Sequence, residues 1–284
     1  MLDVFKSDAF NVLSLTTAIN KLPFKPGRLK ELGIFKVQGV TTTQIAVEEQ
    51  NGKLMLIPQA ARNSSPNVMG GKKRNIRPFI IPHLPLVAHV MADDVQNVRS
   101  FGSESEVQTV AELVNDKLAD MKASMEYTHE YMRIGAMKGI LLDGDGSTTI
   151  YNFFTEFGIT QATAQIDWAV TQTVKKTFNS IRRTIEDNLG ATPYDRIHLM
   201  LGKTLFDNIT TGAEVRAAYD RWQEGAALRD SQVRTVFEYA GLFIEEYRGK
   251  VGATPFIADT EGYAFPVGAP DIFAEFYAPA NFVE

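Results

Sequence analysis

The sequence predicts an α+β protein, and three observations predict it. A proline-free run from Ser103 to Leu142, with no glycine before Gly135, carries helical periodicity. A basic segment ahead of it has the spacing of a long hairpin. Behind it, helical and strand-like stretches alternate without the regular βαβ repeat of a nucleotide-binding fold.

The long helix is expected over about residues 104–142. Ser103 with Glu106 forms a capping box, and Glu104 and Glu106 place negative charge at the positive end of the helix dipole. Apolar or small residues Val107, Ala111, Val114, Leu118, Met121, Met125, Thr128 and Met132 alternate gaps of four and three, which makes a seam. Glu112, Asp116, Lys117, Asp120, Lys122, Glu126, Glu130 and Arg133 lie between them and are expected to face water. At about 1.5 Å per residue the rod reaches roughly 50 Å, longer than a compact domain is wide. An amphipathic core helix and the spine of an elongated subunit both fit the pattern.

From Thr41 to about Leu86 the chain reads as two extended runs, Gln44 to Ile57 and Arg74 to Val87. Alternation at Ile45, Val47, Leu54 and Leu56 is strand-like, and Asn51-Gly52 is a turn signal. A lone hairpin is marginal in water because it has no second layer to cover its apolar face. Lys53, Arg62, Lys72, Lys73, Arg74 and Arg77 make the segment cationic within a chain of net charge -5. An acidic surface on another copy of the chain would complement it. A flexible loop in a monomer and a phosphate-binding patch remain open readings of the same residues.

Composition bounds the function. With 284 residues, 44% hydrophobic and 22% charged, the chain can bury a core in one or two domains. No apolar stretch is long enough to span a membrane, and the start, Met1-Leu-Asp-Val-Phe-Lys-Ser-Asp, lacks the pattern of a signal peptide, so residence in a cytoplasm is expected. The absence of cysteine excludes disulfides and thiolate chemistry. An acidic balance argues against broad nucleic-acid binding, which needs cations to neutralise phosphates.

Motifs that imitate catalytic sites fail on inspection. Gly202-Lys203-Thr204 follows a strand-like run, but Ile197 stands where a phosphate-binding loop needs glycine, so a strand-to-helix turn is expected. Asp143-Gly-Asp145-Gly146 lacks the glutamate of a calcium loop, because Phe154 occupies that position; a tight turn is expected. His83, His89, His129 and His198 show no metal-ligand spacing, and acidic pairs such as Glu245-Glu246 are common in any soluble protein. No catalytic residue, cofactor or metal is predicted.

Downstream, residues 144–157 read as a strand or hairpin returning along the helix. Asp167 is expected to cap a helix to about Leu189, ended by Gly190 and Pro193. A strand from Ile197 to Leu201, a helix from about Thr204 to Thr210, a loop or helical stretch through Trp222, and strands near Val236 and from Phe243 to Tyr247 follow. The tail, residues 265–281, is apolar, strand-forming at its centre, and expected to return to the sheet beside the long helix.

Taken together, these pieces resemble the major capsid proteins of tailed bacteriophages, in particular the lambda-like capsid protein E family. The matching stretches, spread over nearly the whole chain, are Leu15-Thr-Thr-Ala-Ile-Asn-Lys-Leu-Pro23, Phe35-Lys-Val-Gln-Gly-Val-Thr-Thr-Thr43 and Gly139-Ile-Leu-Leu-Asp-Gly-Asp-Gly146. Phe243-Ile-Glu-Glu-Tyr-Arg-Gly249, Pro266-Val-Gly268 and Tyr277-Ala-Pro-Ala-Asn281 continue the likeness. The resemblance implies an HK97-like capsid fold with an N-terminal arm (residues 1–40), an extended β-hairpin loop (41–86) and a peripheral domain holding the spine helix (87–159). An axial domain (160–255) and a C-terminal return to the peripheral domain (256–284) complete it.

It also implies a shell protein of a phage or prophage head, assembled from hexamers and pentamers of this chain around double-stranded DNA that it contacts without reading sequence. Its location would be the virion capsid, reached from the host cytoplasm. A portal, a decoration protein and a separate scaffold protein are the implied partners, the scaffold because the chain opens with arm-like sequence and no long charged helical prefix. Loop lysines cross-link neighbours in some members of the wider fold; with no matching acceptor or glutamate identified here, no cross-link is expected. An encapsulin-like compartment is the nearest alternative, and a nucleotide-binding enzyme using Gly202 to Thr204 the more distant one.

Overall fold

Residue Met200 lies on a strand buried on both faces. A computed structural model describes residues 27–51, 73–91, 94, 110–170, 172–190, 192–224 and 236–279. The chain divides into two compact units, Met1–Phe35 with Leu86–Phe273, and Lys36–Pro85 with Ala274–Glu284. Helices and strands are mixed, as an α+β chain requires.

In the first unit, strands β6 (Arg196–Leu201), β7 (Val236–Tyr239), β8 (Leu242–Glu246) and β11 (Gly262–Val267) form one sheet in the order β11-β6-β8-β7. β6 and β8 run parallel, and the other pairs are antiparallel. Side chains alternate across a strand, so β6 sends Ile197, Leu199 and Leu201 to one face and His198 and Met200 to the other. On the first face they join Val174 and Phe178 of helix α4 (Thr173–Leu189), Phe206 and Ile209 of α5 (Lys203–Thr211) and Val215 of α6 (Ala213–Glu224). On the second face Met200 packs with Leu29, Ile134, Tyr247, Phe256, Ile257, Phe265 and Val267. Burial on both faces explains why β6 reads as an apolar run rather than an alternating one.

Two helices reach that second face. The one-turn helix α1 (Arg28–Glu31) supplies Leu29, and the long helix α2 (Val110–Lys138) supplies Ile134. The helix expected to reach residue 142 stops earlier, because Gly139 takes a left-handed φ of 85° and the Phe154 ring fills the space a Cβ would need. Ile140–Leu142 is strand β4, paired with β5 (Thr149–Asn152) across the Asp143–Gly146 turn. The strand predicted through Phe157 instead ends at Asn152, whose side chain caps the short helix α3 (Phe153–Phe157). The capping box at Ser103 and Glu106 lies outside the described residues.

Asp167 does not cap a helix as expected. It accepts from the Ala169 amide in a local turn. Helix α4 begins at Thr173 after Gln172 in a left-handed conformation, and the Glu214 carboxylate of α6 caps it instead, accepting from Val174 N at 3.2 Å and Lys175 N at 2.8 Å. A carboxylate at that end also suits the dipole. Gly190 ends α4 as expected.

In the second unit β2 (Gln44–Asn51) and β3 (Lys73–Ile80) pair antiparallel from Gln44 opposite Ile80 to Asn51 opposite Lys73. The strand expected to continue to Val87 stops at Ile80, where Pro82 and Pro85 remove ladder donors. Gly52, half of the predicted turn, lies outside the described residues, whereas Asn51 closes β2. Ahead of the tail, β9 (Lys250–Val251) and β10 (Thr254–Pro255) pair antiparallel; the tail forms two strands, of which β11 joins the sheet of the first unit and β12 (Phe273–Tyr277) pairs with β1 (Phe35–Gly39).

Candidate assembly surfaces and a buried charge cluster

The paired hairpin of the second unit has two unlike faces. Ile45 and Val47 lie opposite Phe79 and Arg77, and Phe79 is buried. The other face carries Ala46, Ile76, Pro78 and Ile80, with Ile76 63% and Ile80 59% exposed. Of the six cations singled out, Lys73, Arg74 and Arg77 lie on β3, opposite Asn51, Gln50 and Val47. Lys53, Arg62 and Lys72 lie outside the described residues. Among the described residues that ladder of β-branched and ring side chains is an exposed apolar sheet face, the kind that a second layer covers.

Along α2, Val114, Leu118, Met121, Met125 and Met132 are all half-buried, and Val107 lies outside the described residues. The most buried positions of this helix are Glu130, Arg133 and Ile134. Glu130 and Arg133, expected to face water, instead turn inward: Glu130 meets polar partners from other elements, and Arg133 lies beside Glu130.

Those partners form a cluster that the sequence did not reveal. Glu245 of β8 accepts from Arg28 Nε at 3.0 Å and Arg28 Nη2 at 2.7 Å, and its Oε2 lies 2.9 Å from His198 Nε2. Glu130 Oε1 accepts from the Leu29 amide at 3.0 Å and the Tyr247 hydroxyl at 3.3 Å, while Oε2 lies 3.9 Å from Arg133 Nη1. Two arginines and two glutamates cancel if His198 is neutral. Its Nε2 faces the Glu245 carboxylate, and its Nδ1 is buried with no hydrogen-bond partner among the described residues.

Electrostatics divides the two carboxylates. Burial pushes Glu130 above its usual range, against the Leu29 amide and Arg133. Burial also opposes ionisation of Glu245, but the hydrogen bonds from His198 and Arg28 outweigh it and hold that group low. The signal that could have found the cluster is a charged residue at an interior position of a strand otherwise apolar, as in Leu242-Phe-Ile-Glu245 and Ile197-His198-Leu.

The loop at Gly202 holds no space for a phosphate. A Cβ there would overlap the Ala258 carbonyl, the Gly202 amide donates to Glu261 O, and Leu205 N, in the first turn of α5, donates to Asp259 O. The expected strand-to-helix turn is what stands there. At the other acidic motif, Asp145 accepts from Ser147 N, Thr148 N and the Thr148 hydroxyl, which pulls its carboxyl down and closes a tight turn. Among the described residues no three His, Asp or Glu side chains are grouped to hold a metal, and no helix is long and apolar enough to cross a membrane.

The family model for phage major capsid protein E matches residues 11–284. A major capsid protein of Salmonella phage Felix O1 is 23% identical over 98% of this chain and 85% of its own length. A major capsid protein of Pseudomonas phage KPP10 is 22% identical over 96% of this chain and 83% of its own length.

Proposed function

Because the chain belongs to the phage major capsid protein E family, we propose that it is the repeating subunit of a tailed-phage or prophage head, an icosahedral shell of hexamers and pentamers around double-stranded DNA. Its place is the virion head, and its role is structural rather than catalytic. The single observation that carries this reading is the family match over residues 11–284. The exposed apolar face of the β2–β3 hairpin supports it, since a two-stranded sheet with Ile76 and Ile80 largely exposed among the described residues can gain a second layer from another chain.

In this reading the fold is HK97-like, with arm, extended loop, peripheral domain, axial domain and C-terminal return at the boundaries expected from the sequence. The loop lies over a neighbouring copy, and Lys53, Arg62, Lys72, Lys73, Arg74 and Arg77 meet acidic groups there. The seam Val107, Val114, Leu118, Met121, Met125 and Met132 completes its burial within the packed shell. Each contact can be weak, because many repeated contacts per subunit make the lattice stable while a misplaced copy still leaves. The net charge of -5 suits a wall that encloses DNA without gripping it. A separate scaffold, a portal and a decoration protein are the further partners.

Expression of the full chain, with light scattering and negative-stain electron microscopy, tests the proposal. Shells or sheets of hexamers and pentamers are expected, alone or with the scaffold. A product that stays monomeric or dimeric with the scaffold present would overturn it.

A further inference from the structure

Helix α1 is a single turn, and a helix that short has no stability of its own. Its hold on the body is part polar and part apolar. Arg28 binds Glu245 of the sheet, the Leu29 amide binds Glu130 of α2, and Lys30 lies 3.7 Å from Glu126 of α2. Only Leu29 is fully buried, with Leu32 and Ile34 partly packed beside it. The fit is close at one end: a Cβ on Gly27 would overlap the Glu130 carboxylate. At the other end Gly33 has a left-handed φ of 64° and open space around it, which gives the chain a pivot directly after the turn.

Buried ion pairs contribute little net stability compared with apolar packing, and they fail abruptly when one partner leaves. One such pair to β8, a hydrogen bond from the Leu29 amide to a buried carboxylate of α2 and a looser Lys30–Glu126 pair, next to a glycine pivot, make an element that attaches or detaches as a whole. We propose that Arg28–Glu31 is a conformational latch, closed on Glu130 and Glu245 and able to open about Gly33 while the four-stranded sheet stays folded. When it opens, Glu130, His198 and Glu245 regain water, so the sheet keeps its first core and loses only part of the cover over its second. The latch fixes the point at which the preceding chain joins the body. Its use as a control on the reach of an N-terminal arm between subunits rests on the shell reading, whereas the latch itself does not.

Hydrogen–deuterium exchange by mass spectrometry on the full-length chain tests it. In the wild type, amides of residues 28–34 should exchange through an opening that leaves residues 196–201 and 242–246 protected. Arg28→Ala should speed exchange at 28–34 by about tenfold or more, the scale of one lost hydrogen bond to a charged group, while residues 196–201 stay far better protected than 28–34. Equal exchange of the two regions in the wild type would overturn the proposal, as would a variant in which exchange at 28–34 does not change. Trypsin gives a second readout that needs no variant: cleavage after Arg28 should yield a fragment that retains the sheet, and resistance at that bond until global unfolding would also overturn the latch. Both readouts concern the subunit, so their failure is distinct from a failure to form shells.

Discussion

Glu245 Oε2 lies 2.9 Å from His198 Nε2, on adjacent parallel strands, with the two side chains 2% and 1% exposed. A histidine and a carboxylate at such depth are tolerated because each satisfies the other and Arg28 completes the charge balance. Removing the shared acceptor should therefore cost far more than removing a surface pair. Glu245→Ala is expected to lower stability by about 3–5 kcal/mol in urea unfolding, since it strands Arg28 and His198 together. A loss below about 1 kcal/mol, the size of an exposed pair, would show that the cluster does not hold the second core.

The opposite displacements of Glu130 and Glu245 give stability a two-sided pH dependence. Glu130 is raised from 4.5 by burial, so it favours the folded state below that value, and this contribution is lost as pH rises through its folded value. Glu245 is lowered from 4.5, so its contribution is present above that value and disappears as pH falls through its folded value. Glu130→Gln keeps an acceptor for the Leu29 amide and removes the titration. Denaturant midpoints measured across pH should lose their decline on the alkaline side of 4.5 in this variant, and an unchanged profile would refute the assignment.

Gly202 and Gly144 offer a matched pair. A methyl at Gly202 meets the Ala258 carbonyl and the Asp259 backbone, which cannot move without disturbing the start of α5, whereas one at Gly144 meets nothing within 4 Å. Gly202→Ala should destabilise the subunit by about 1–3 kcal/mol, the usual cost of overpacking. Gly144→Ala should remain within about 0.5 kcal/mol, as a surface change does. Thermal unfolding of the two variants distinguishes them, and equal midpoints would contradict the packing at Gly202.

Ile76→Asp and Ile80→Asp address the hairpin face. Both side chains are mostly in water in the single subunit, so its unfolding should change by no more than about 0.5 kcal/mol. Under the shell reading the same substitutions bury a charge against a neighbour and should abolish particles in light scattering. Normal particle yield from the double variant would remove this face from the assembly contacts.

Much of the chain was legible before any coordinates. The Arg196–Leu201 strand, the turn at Gly202, the end of α4 at Gly190 and the hairpin-spaced runs at β2 and β3 all rest on local rules: apolar runs, glycine punctuation and period-two alternation. The same rules misplaced the start of α4, because its cap comes from Glu214, 40 residues downstream of Val174. They also overran α2, since Gly139 and Phe154 close that helix through a contact between two elements.

By itself, then, the sequence determined the α+β mixture, the long helix and the likeness to capsid proteins, because periodicity and motif order are properties of neighbours along the chain. Tertiary structure alone decided that Glu130 and Arg133 turn inward, that His198 meets Glu245, and that Arg28 reaches across to β8. The physical reason is that a charged side chain in water costs nothing and in a core costs several kcal/mol, so its burial depends wholly on a partner whose distance along the chain leaves no periodic trace.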